Sequence, residues 1–362
     1  MKFLSSLFLL WLTAVTASVV PSADDPSIPS PDPNDDAFHF VHKTVIIPHD
    51  QKKFRGGEDA AATSDRILVV ADGVGGWANK GVNPGLYSRL LSKTIVELFE
   101  ERSSQDGANN DDKFLMELVH EANHHAADQH LGSATCTTVQ LTGPNTLKTL
   151  NIGDSGYSIH RRRRDKDEWQ VVFASIPGQK QFNFPNQIGG RYGDVVSQVA
   201  DQNVHTLQPG DIVILYSDGV SDNLHPKEYH DCLDRYYLSE SGTLVSHSLV
   251  ADCIARQAYV LGKDKKFDSP FAQGAREVGK RYIGGKHDDI TVTVAHVELK
   301  AGPSTGPSSA PSTEAQDDDP HYSESIFVYT GPVPSKDELP TMEEALKMSK
   351  TIGVGGGNDG EL

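Results

Sequence analysis

The sequence is short of cysteine, of basic residues and of long apolar runs, and each shortage excludes something. Only three cysteines occur in 362 residues: Cys136, Cys232 and Cys253. An odd, sparse set does not make a disulfide framework, and with no Cys-x-x-Cys a structural zinc site is not expected. A single Cys232–Cys253 bridge is open to the chain, but the expectation is three buried, small apolar side chains. Lysine and arginine number 33 against 50 acids, a formal net charge of −17. Nucleic-acid binding needs basic surface to displace counterions, so that class of partner is excluded. Past residue 20 no apolar stretch is long enough to cross a bilayer. There is no Asn-x-Ser/Thr sequon either, a small weight against secretion.

What is present is unevenly placed. Residues 21–36 carry five acids and no base, and residues 301–362 carry eleven acids against three lysines. The stretch between them keeps only about −5. Residues 1–20, MKFLSSLFLLWLTAVTASVV, have a positive start at Lys2, an apolar centre and small residues before Ser18. This reads as a secretory signal peptide, with an uncleaved signal anchor as the runner-up. Residues 21–37 read as a disordered acidic linker, 38–300 as the folded catalytic part and 301–362 as a low-complexity acidic tail. Within that tail, Thr341 and Glu344 form a capping box for a short helix over 341–350.

Between the tails the periodicity alternates. Arg66–Val70 is an apolar run ending in Asp72-Gly73 and reads as a buried strand. Two helices are expected over Asn83–Glu100 and Lys113–His130. Short β-branched runs follow at Thr135–Leu141, Thr146–Ile152, Tyr157–His160, Trp169–Ala174, Val204–Leu207 and Asp211–Tyr216. Helical stretches come near Pro226–Leu238 and Leu244–Leu261, and Asp289–Glu298 closes the series. Strands outnumber crossover helices, which argues for antiparallel sheets with helices outside rather than a doubly wound parallel sheet.

Four acidic motifs stand out: Gly57-Glu58-Asp59, Ala71-Asp72-Gly73, Ser217-Asp218-Gly219 and His287-Asp288-Asp289. A carboxylate at a strand end is rigidly held while its oxygens reach outward. Several converging carboxylates repel one another unless a cation neutralises them, and hard divalent ions take oxygen ligands. A pair of such ions can activate water and clamp a phosphoryl group. Any one Asp-Gly alone is more often a turn than a ligand.

Taken in order, GEDA, ADGVGGW, GSATCTTVQL, NIGDSGY, LYSDGVSDNL and GGKHDDITV resemble the type 2C metal-dependent Ser/Thr protein phosphatases, over residues 40–298. The DGVGGW wording is similar to a branch with mitochondrial members. The resemblance implies an α+β fold, a central antiparallel β-sandwich flanked by helices in four α-β-β-α layers. It implies phosphoprotein substrates and two Mn²⁺ or Mg²⁺ ions. Asp72 would bridge both ions and the Gly73 carbonyl would bind one. Asp218 and Asp288, the latter preferred over Asp289, would bind the other. Glu58 would act through water, and Asp59 would orient water. Asp154 and Asp222, with Asp218, match a third, weaker ion. Val74 stands where many members carry a histidine, which leaves the proton donor unassigned. Arg55 is the candidate for gripping phosphate, with Lys52 and Lys53 as alternatives.

Other readings stay open beside this one. A catalytically silent relative would bind metal without turnover, and a small-molecule phosphatase would prefer nucleotide or sugar phosphates. Location divides between the secretory route, a membrane anchor if residues 1–20 are uncleaved, and mitochondria by resemblance. Arg161–Arg164 reads as an exposed hairpin tip, with a docking patch as the sharper alternative. His124, His125 and His130 read as surface or capping residues, and Cys136, Ser155 and Ser217 lack the context of nucleophiles.

Overall fold

The computed structural model describes residues 38–353, apart from 104–112, 144, 164, 191–192, 240, 300–324 and 336–337. The expected signal segment and acidic linker therefore lie outside the described residues. From the N-terminal side come β1 (Phe38–Ile47), β2 (Asp59–Thr63) and β3 (Ile67–Asp72), then α1 (Pro84–Ser103) and α2 (Phe114–Gln129). Next are β4 (Cys136–Leu141), β5 (Thr146–Ile152), β6 (Gly156–Arg163) and β7 (Glu168–Ala174), with the small hairpin β8 (Gln179–Gln181) and β9 (Phe184–Pro185). A short α3 (Val196–Val199) leads to β10 (Asp201–Thr206) and β11 (Ile212–Tyr216). One turn of helix, α4 (Asp218–Ser221), and α5 (Pro226–Arg235) precede the two-residue strands β12 (Tyr237–Leu238) and β13 (Thr243–Leu244). Then follow α6 (His247–Lys263), α7 (Pro270–Glu277), β14 (Ile290–Leu299), β15 (Ile326–Val328) and α8 (Met342–Gly353).

Two sheets stack face to face. One has the order β15-β1-β14-β11-β6-β7 and the other β10-β5-β4-β3-β2. Alternate side chains explain the layering, because successive residues of a strand face opposite sides. In β3, Leu68 and Val70 enter the layer between the sheets with Val139, Tyr157, Val213 and Leu215. Ile67, Val69 and Ala71 face outward onto Tyr87, Leu91, Ile95 and Leu118 of α1 and α2. A strand buried on both faces must be apolar throughout, hence the unbroken ILVVA run. On the far side, Val45, Ile214, Val292 and Val294 meet Leu233, Val250 and Ile254 of α5 and α6. The four-layer α-β-β-α sandwich that the resemblance implies is thus the fold.

The expected acidic tail from 301 is not uniform. Ile326–Val328 pairs with β1, and does so in parallel, the one departure from antiparallel pairing in the six-stranded sheet. Tyr329, Leu339 and Ala345 are buried in the α5–α6 core, and the short helix expected near 341–350 is α8. A three-residue apolar strand inside polar, Pro-rich sequence has too little periodicity to be read in advance.

Cys232 and Cys253 are joined in a disulfide, which corrects the expectation of three free thiols; Cys136 is free and buried. The bridge ties α5 to α6 with the two Cα atoms 5.7 Å apart. Its 21-residue sequence separation sets its worth. Loop-closure entropy for that length is about 3 kcal/mol. Chemical denaturation of the Cys232→Ser/Cys253→Ser protein should show a loss of that order, and an unchanged midpoint would mean that the bridge stabilises nothing.

The arginine run belongs to β6 rather than to a hairpin tip, and its described members are paired. Arg161 holds Asp211 through two bonds of 2.7 Å, Arg162 contacts Asp167 and Asp234 beneath Trp169 and Tyr237, and Arg163 pairs with Asp165. Among the described residues of the run, Arg161–Arg163, this leaves the docking-patch reading without free guanidinium groups. His124 and His125 are exposed on α2.

Two other histidines are buried instead. Burial, with His230 alongside, pushes the His160 imidazole down from 6.5 to about 3; burial, with His296 and His42 nearby, does the same to His247. The unfolded chain takes up protons near its ordinary value, while the folded state refuses them. Stability is therefore fully present above pH 6.5 and is lost as pH falls from there. The slope is about 1.4 kcal/mol per pH unit for each histidine. Urea midpoints measured from pH 7 to pH 4.5 should fall accordingly, and His160→Gln should flatten the decline; a flat wild-type profile would contradict both assignments.

Candidate metal centre

Five strand ends from both sheets meet at one end of the sandwich. β2 starts at Asp59, directly after Glu58, and β3 ends at Asp72. The β2–β3 register sets Asp59 directly opposite Asp72. β11 ends at Tyr216, so that Asp218 opens α4, and β14 starts just after Asp288-Asp289. β5 ends at Ile152, two residues before Asp154. Like charges directly opposed on paired strands cost stability, so the Asp59–Asp72 pair is maintained against folding rather than for it.

Close approach of backbone makes this convergence possible. A Cβ on Gly73 would lie 2.7 Å from the Glu58 carbonyl oxygen and 3.0 Å from the Pro84 carbonyl carbon. A Cβ on Gly219 would lie 1.9 Å from the Asp289 carbonyl oxygen. Only glycine lets the Asp72 and Asp218 turns sit against the neighbouring chain.

The hydrogen bonds separate two kinds of carboxylate. Asp289 is a structural tie: Oδ1 accepts from the His49 N–H at 2.7 Å, and Oδ2 accepts from the Glu58 N–H at 3.1 Å. Among the described residues Asp288 accepts no bond from another element's backbone and its one backbone donor is the adjacent Asp289 N–H; it faces the acidic cluster. Asp59 is oriented by Thr291, whose Oγ1 donates to Oδ2 at 2.8 Å. The Asp72 N–H donates to Thr135 Oγ1 at 3.1 Å, which fixes the end of β3 against β4. Asp154 Oδ2 accepts from Gln179 Nε2 at 2.8 Å.

Three basic side chains lie among these acids. Lys286 Nζ is 2.5 Å from Asp218 Oδ2, 2.7 Å from Asp222 Oδ2 and 3.4 Å from Asp288 Oδ2. Lys52 Nζ is 2.7 Å from Glu58 Oε2, 2.8 Å from Asp289 Oδ2 and 3.2 Å from Asp288 Oδ1. Arg55 reaches Glu58 Oε1 at 2.5 Å while its own buried Nε has no partner. Lys53 turns away, to Asp50 and the Gly331 carbonyl.

The charges remain unbalanced. Glu58, Asp59, Asp72, Asp154, Asp218, Asp222, Asp288 and Asp289 make eight acids against Lys52, Arg55 and Lys286. Burial, reinforced by Asp59, Asp218, Asp288 and Asp154, holds the Asp72 carboxyl well above the usual carboxylate range. Burial, with Asp289 nearby, pushes Asp59 up to about 8. Burial raises Asp222 to about 7 despite Lys286, and Asp154 to about 6 with Asp218 adding to the rise. Asp288 moves the other way: burial opposes its ionisation, but Lys286 and Lys52 outweigh it.

This donor set suits hard divalent cations. Every available donor is an oxygen, and Asp59 Oδ1 and Asp218 Oδ1 are buried without a hydrogen-bond partner. Among the described residues no three such side chains already stand within one coordination shell. The carboxylates are instead spaced around Lys286, Lys52 and Arg55, as their mutual repulsion requires.

Of the residues expected from the sequence, Glu58, Asp59, Asp72, Gly73, Asp218, Asp288, Asp154 and Asp222 all lie at this one end of the sandwich, with Arg55 and Lys52 beside them. Lys286 was not anticipated. Its signal is a lone lysine two residues before an acidic pair in GGKHDDITV, near where a tethered counter-charge would sit. Thr291 and Thr135, which orient Asp59 and Asp72, carry no signal of their own in a β-branched strand.

Comparison with known proteins agrees with this geometry. The protein phosphatase 2C family pattern matches residues 56–251. Probable protein phosphatase 2C 80 of Arabidopsis thaliana is 36% identical over 269 residues, which cover 72% of this chain and 59% of that protein. Probable protein phosphatase 2C 55 of the same plant is 35% identical, over 71% of this chain and 52% of its own length. The chain thus spans just over half of these two relatives. The X-ray structure of the photosystem II phosphatase PBCP superposes with a TM-score of 0.60 at 30% identity, covering 72% of this chain and 99% of that one. With the acids of five ordered motifs gathered at one end of an α-β-β-α sandwich, and with the family pattern matched over residues 56–251, this chain belongs to the protein phosphatase 2C family.

Proposed function

We propose that the chain is a metal-dependent protein serine/threonine phosphatase of the DGVGGW branch. The observation that carries this reading is the Asp72 carboxyl, opposed by Asp59 across the β2–β3 ladder and faced by Asp154, Asp218 and Asp288. A buried carboxyl held among like charges in this way is relieved by a bound cation. Asp72 and the Gly73 carbonyl would hold Mn²⁺ or Mg²⁺ at the sheet ends, with Asp218 and Asp288 completing the set. Divalent ions there supply the positive charge that polarises water and the phosphoryl group. Asp59, aimed by Thr291, orients the attacking water. Arg55 exchanges its bond to Glu58 for a fork of bonds to the substrate phosphate, and its unpartnered Nε provides a donor for that grip.

The test is phosphate release from phosphoserine and phosphothreonine peptides by the purified protein. It should require added Mn²⁺ or Mg²⁺ and stop on chelation, and phosphotyrosine, nucleotides and sugar phosphates should be poorer substrates. Turnover in excess chelator, or preference for a small phosphoester, would overturn the reading.

We also propose the secretory route over mitochondria. Residues 1–20 have the three-part form of a signal peptide, and a buried Cys232–Cys253 bridge suits an oxidising compartment. Among the described residues no helix is long and apolar enough to cross a membrane. Sequencing the N-terminus of the mature protein tests it: a start near Ser18 supports secretion, a start at Met1 fits the uncleaved anchor, and a start well beyond Ser18 removes the signal-peptide reading.

A further inference from the structure

We infer that the Lys286 ammonium is a built-in third cation of the metal centre, seated between Asp218 and Asp222, so that the chain works with two metal ions rather than three. This rests on the metal-dependent reading above.

The geometry is that of a fixed site rather than a mobile surface lysine. Nζ donates to Asp218 Oδ2 and Asp222 Oδ2 and forms a looser ion pair with Asp288 Oδ2 at 3.4 Å. Asp218 divides its oxygens: Oδ2 is taken by Lys286, while Oδ1 is buried and unpartnered. One carboxylate thus serves the lysine on one side and keeps a free oxygen on the other.

The lysine's backbone is clamped as firmly as its side chain. Its N–H donates to Asn223 Oδ1 at 2.8 Å, and Asn223 Nδ2 donates to its carbonyl at 2.7 Å. The same Nδ2 lies 2.9 Å from the Gly219 carbonyl. Asn223, fully buried, therefore locks the Lys286 loop to the turn that bears Asp218 and Asp222. A Cβ on Gly285 would lie 2.0 Å from the Leu261 carbonyl oxygen, so the loop is seated directly on α6. Phe271 closes the outer side, its ring 5.3 Å from Nζ, and its N–H bonds the Asp222 carbonyl at 3.0 Å.

A cation placed by the chain itself needs no metal from solution. Asp218 and Asp222, which with Asp154 could hold a weak third ion, are already bridged at 2.5 and 2.7 Å. A divalent ion would have to displace an ammonium that cannot diffuse away, and Coulomb repulsion between the two disfavours its entry.

The experiment counts ions. Metal-free full-length protein is titrated with Mn²⁺ by calorimetry, and the saturated protein is weighed by native mass spectrometry. Wild type should take two ions. Lys286→Met, close in shape but uncharged, should take a third, and Lys286→Arg should return the count to two. Three ions on wild type, or two on a folded Lys286→Met protein, would overturn the lysine's role and leave the metal-dependent reading standing. No bound ion on any protein would overturn both. The wild-type count alone decides against the proposal if it reaches three, even should the methionine variant not fold.

Discussion

Asp72→Asn protein should be more stable than wild type without metal, and inactive with it. The two effects have one cause. Burial and four neighbouring acids hold the Asp72 carboxyl well above its ordinary value. A carboxyl whose folded pKa exceeds its unfolded one costs nothing below the ordinary carboxylate range. As pH rises through that range, the unfolded chain gives up its proton readily and the folded chain resists, so stability falls. At neutral pH asparagine removes that cost and brings two N–H donors to a place rich in acceptors. The gain should be about 1–2 kcal/mol, the usual scale for relieving a functional site. For a domain of this size that is a rise in Tm of a few degrees. Saturating Mn²⁺ should reverse the order, since ligand binding stabilises only the protein that binds it. Activity should fall by about 1,000-fold or more, the scale for losing a main electrostatic element of a site. Thermal unfolding with and without Mn²⁺, beside kcat/KM on a phosphopeptide, reads both effects. A metal-free variant less stable than wild type would show Asp72 to be structural, and retained kcat/KM would remove it from the chemistry.

Asp72 also marks what can be read from sequence. Its strand is apolar on both faces, and an unbroken apolar run closed by Asp-Gly is among the clearest signals a chain gives. The helices α1 and α2 were legible for a similar reason, since each presents a repeating apolar stripe to one sheet. The strand across from Asp72 was not. β2 reads DAAAT, and alanine favours no strand; its pairing comes from the backbone ladder with β3 and from α1 lying over it. Charge partners are harder still. That Asp289 ties a loop while Asp288 faces the cluster depends on where the His49 and Glu58 N–H groups lie, more than 200 positions earlier in the chain. A sequence states which residues can bear charge; only packing states which of them neutralise each other.

Cutting the chain at residue 300, where the sequence alone would end the folded part, should cost more stability than any single substitution outside the metal centre. β1 would become the edge of its sheet, because β15 covers it with Thr44 N–H bonded to the Ser325 carbonyl and Tyr329 N–H to the Ile46 carbonyl. An uncovered edge strand is open to pairing with other chains. Tyr329, Leu339 and Ala345 would leave the core they share with α5 and α6. Arg256, 9% exposed, would lose Tyr329 Oη and the Ser335 carbonyl and, among the described residues, keep Asp252 alone, four residues back on its own helix. A buried guanidinium deprived of partners is itself a cost of several kcal/mol at most sites. Tyr329→Ala alone should cost about 3–5 kcal/mol. The truncated chain should lose more, with Tm lower by more than about 10 °C, and should aggregate as it unfolds. Tyr329 packs in the α5–α6 core and bonds Asp252 and Arg256 rather than a carboxylate of the metal centre, so Tyr329→Ala protein should keep near-normal kcat/KM at temperatures where it is folded. Thermal unfolding of chains ending at 300 and at 353, with kcat/KM for Tyr329→Ala, tests both halves. Equal Tm values would mean the segment only rests on the domain. Lost activity in folded Tyr329→Ala protein would mean instead that the strap, through α6 and the Lys286 loop seated on it, reaches the metal centre.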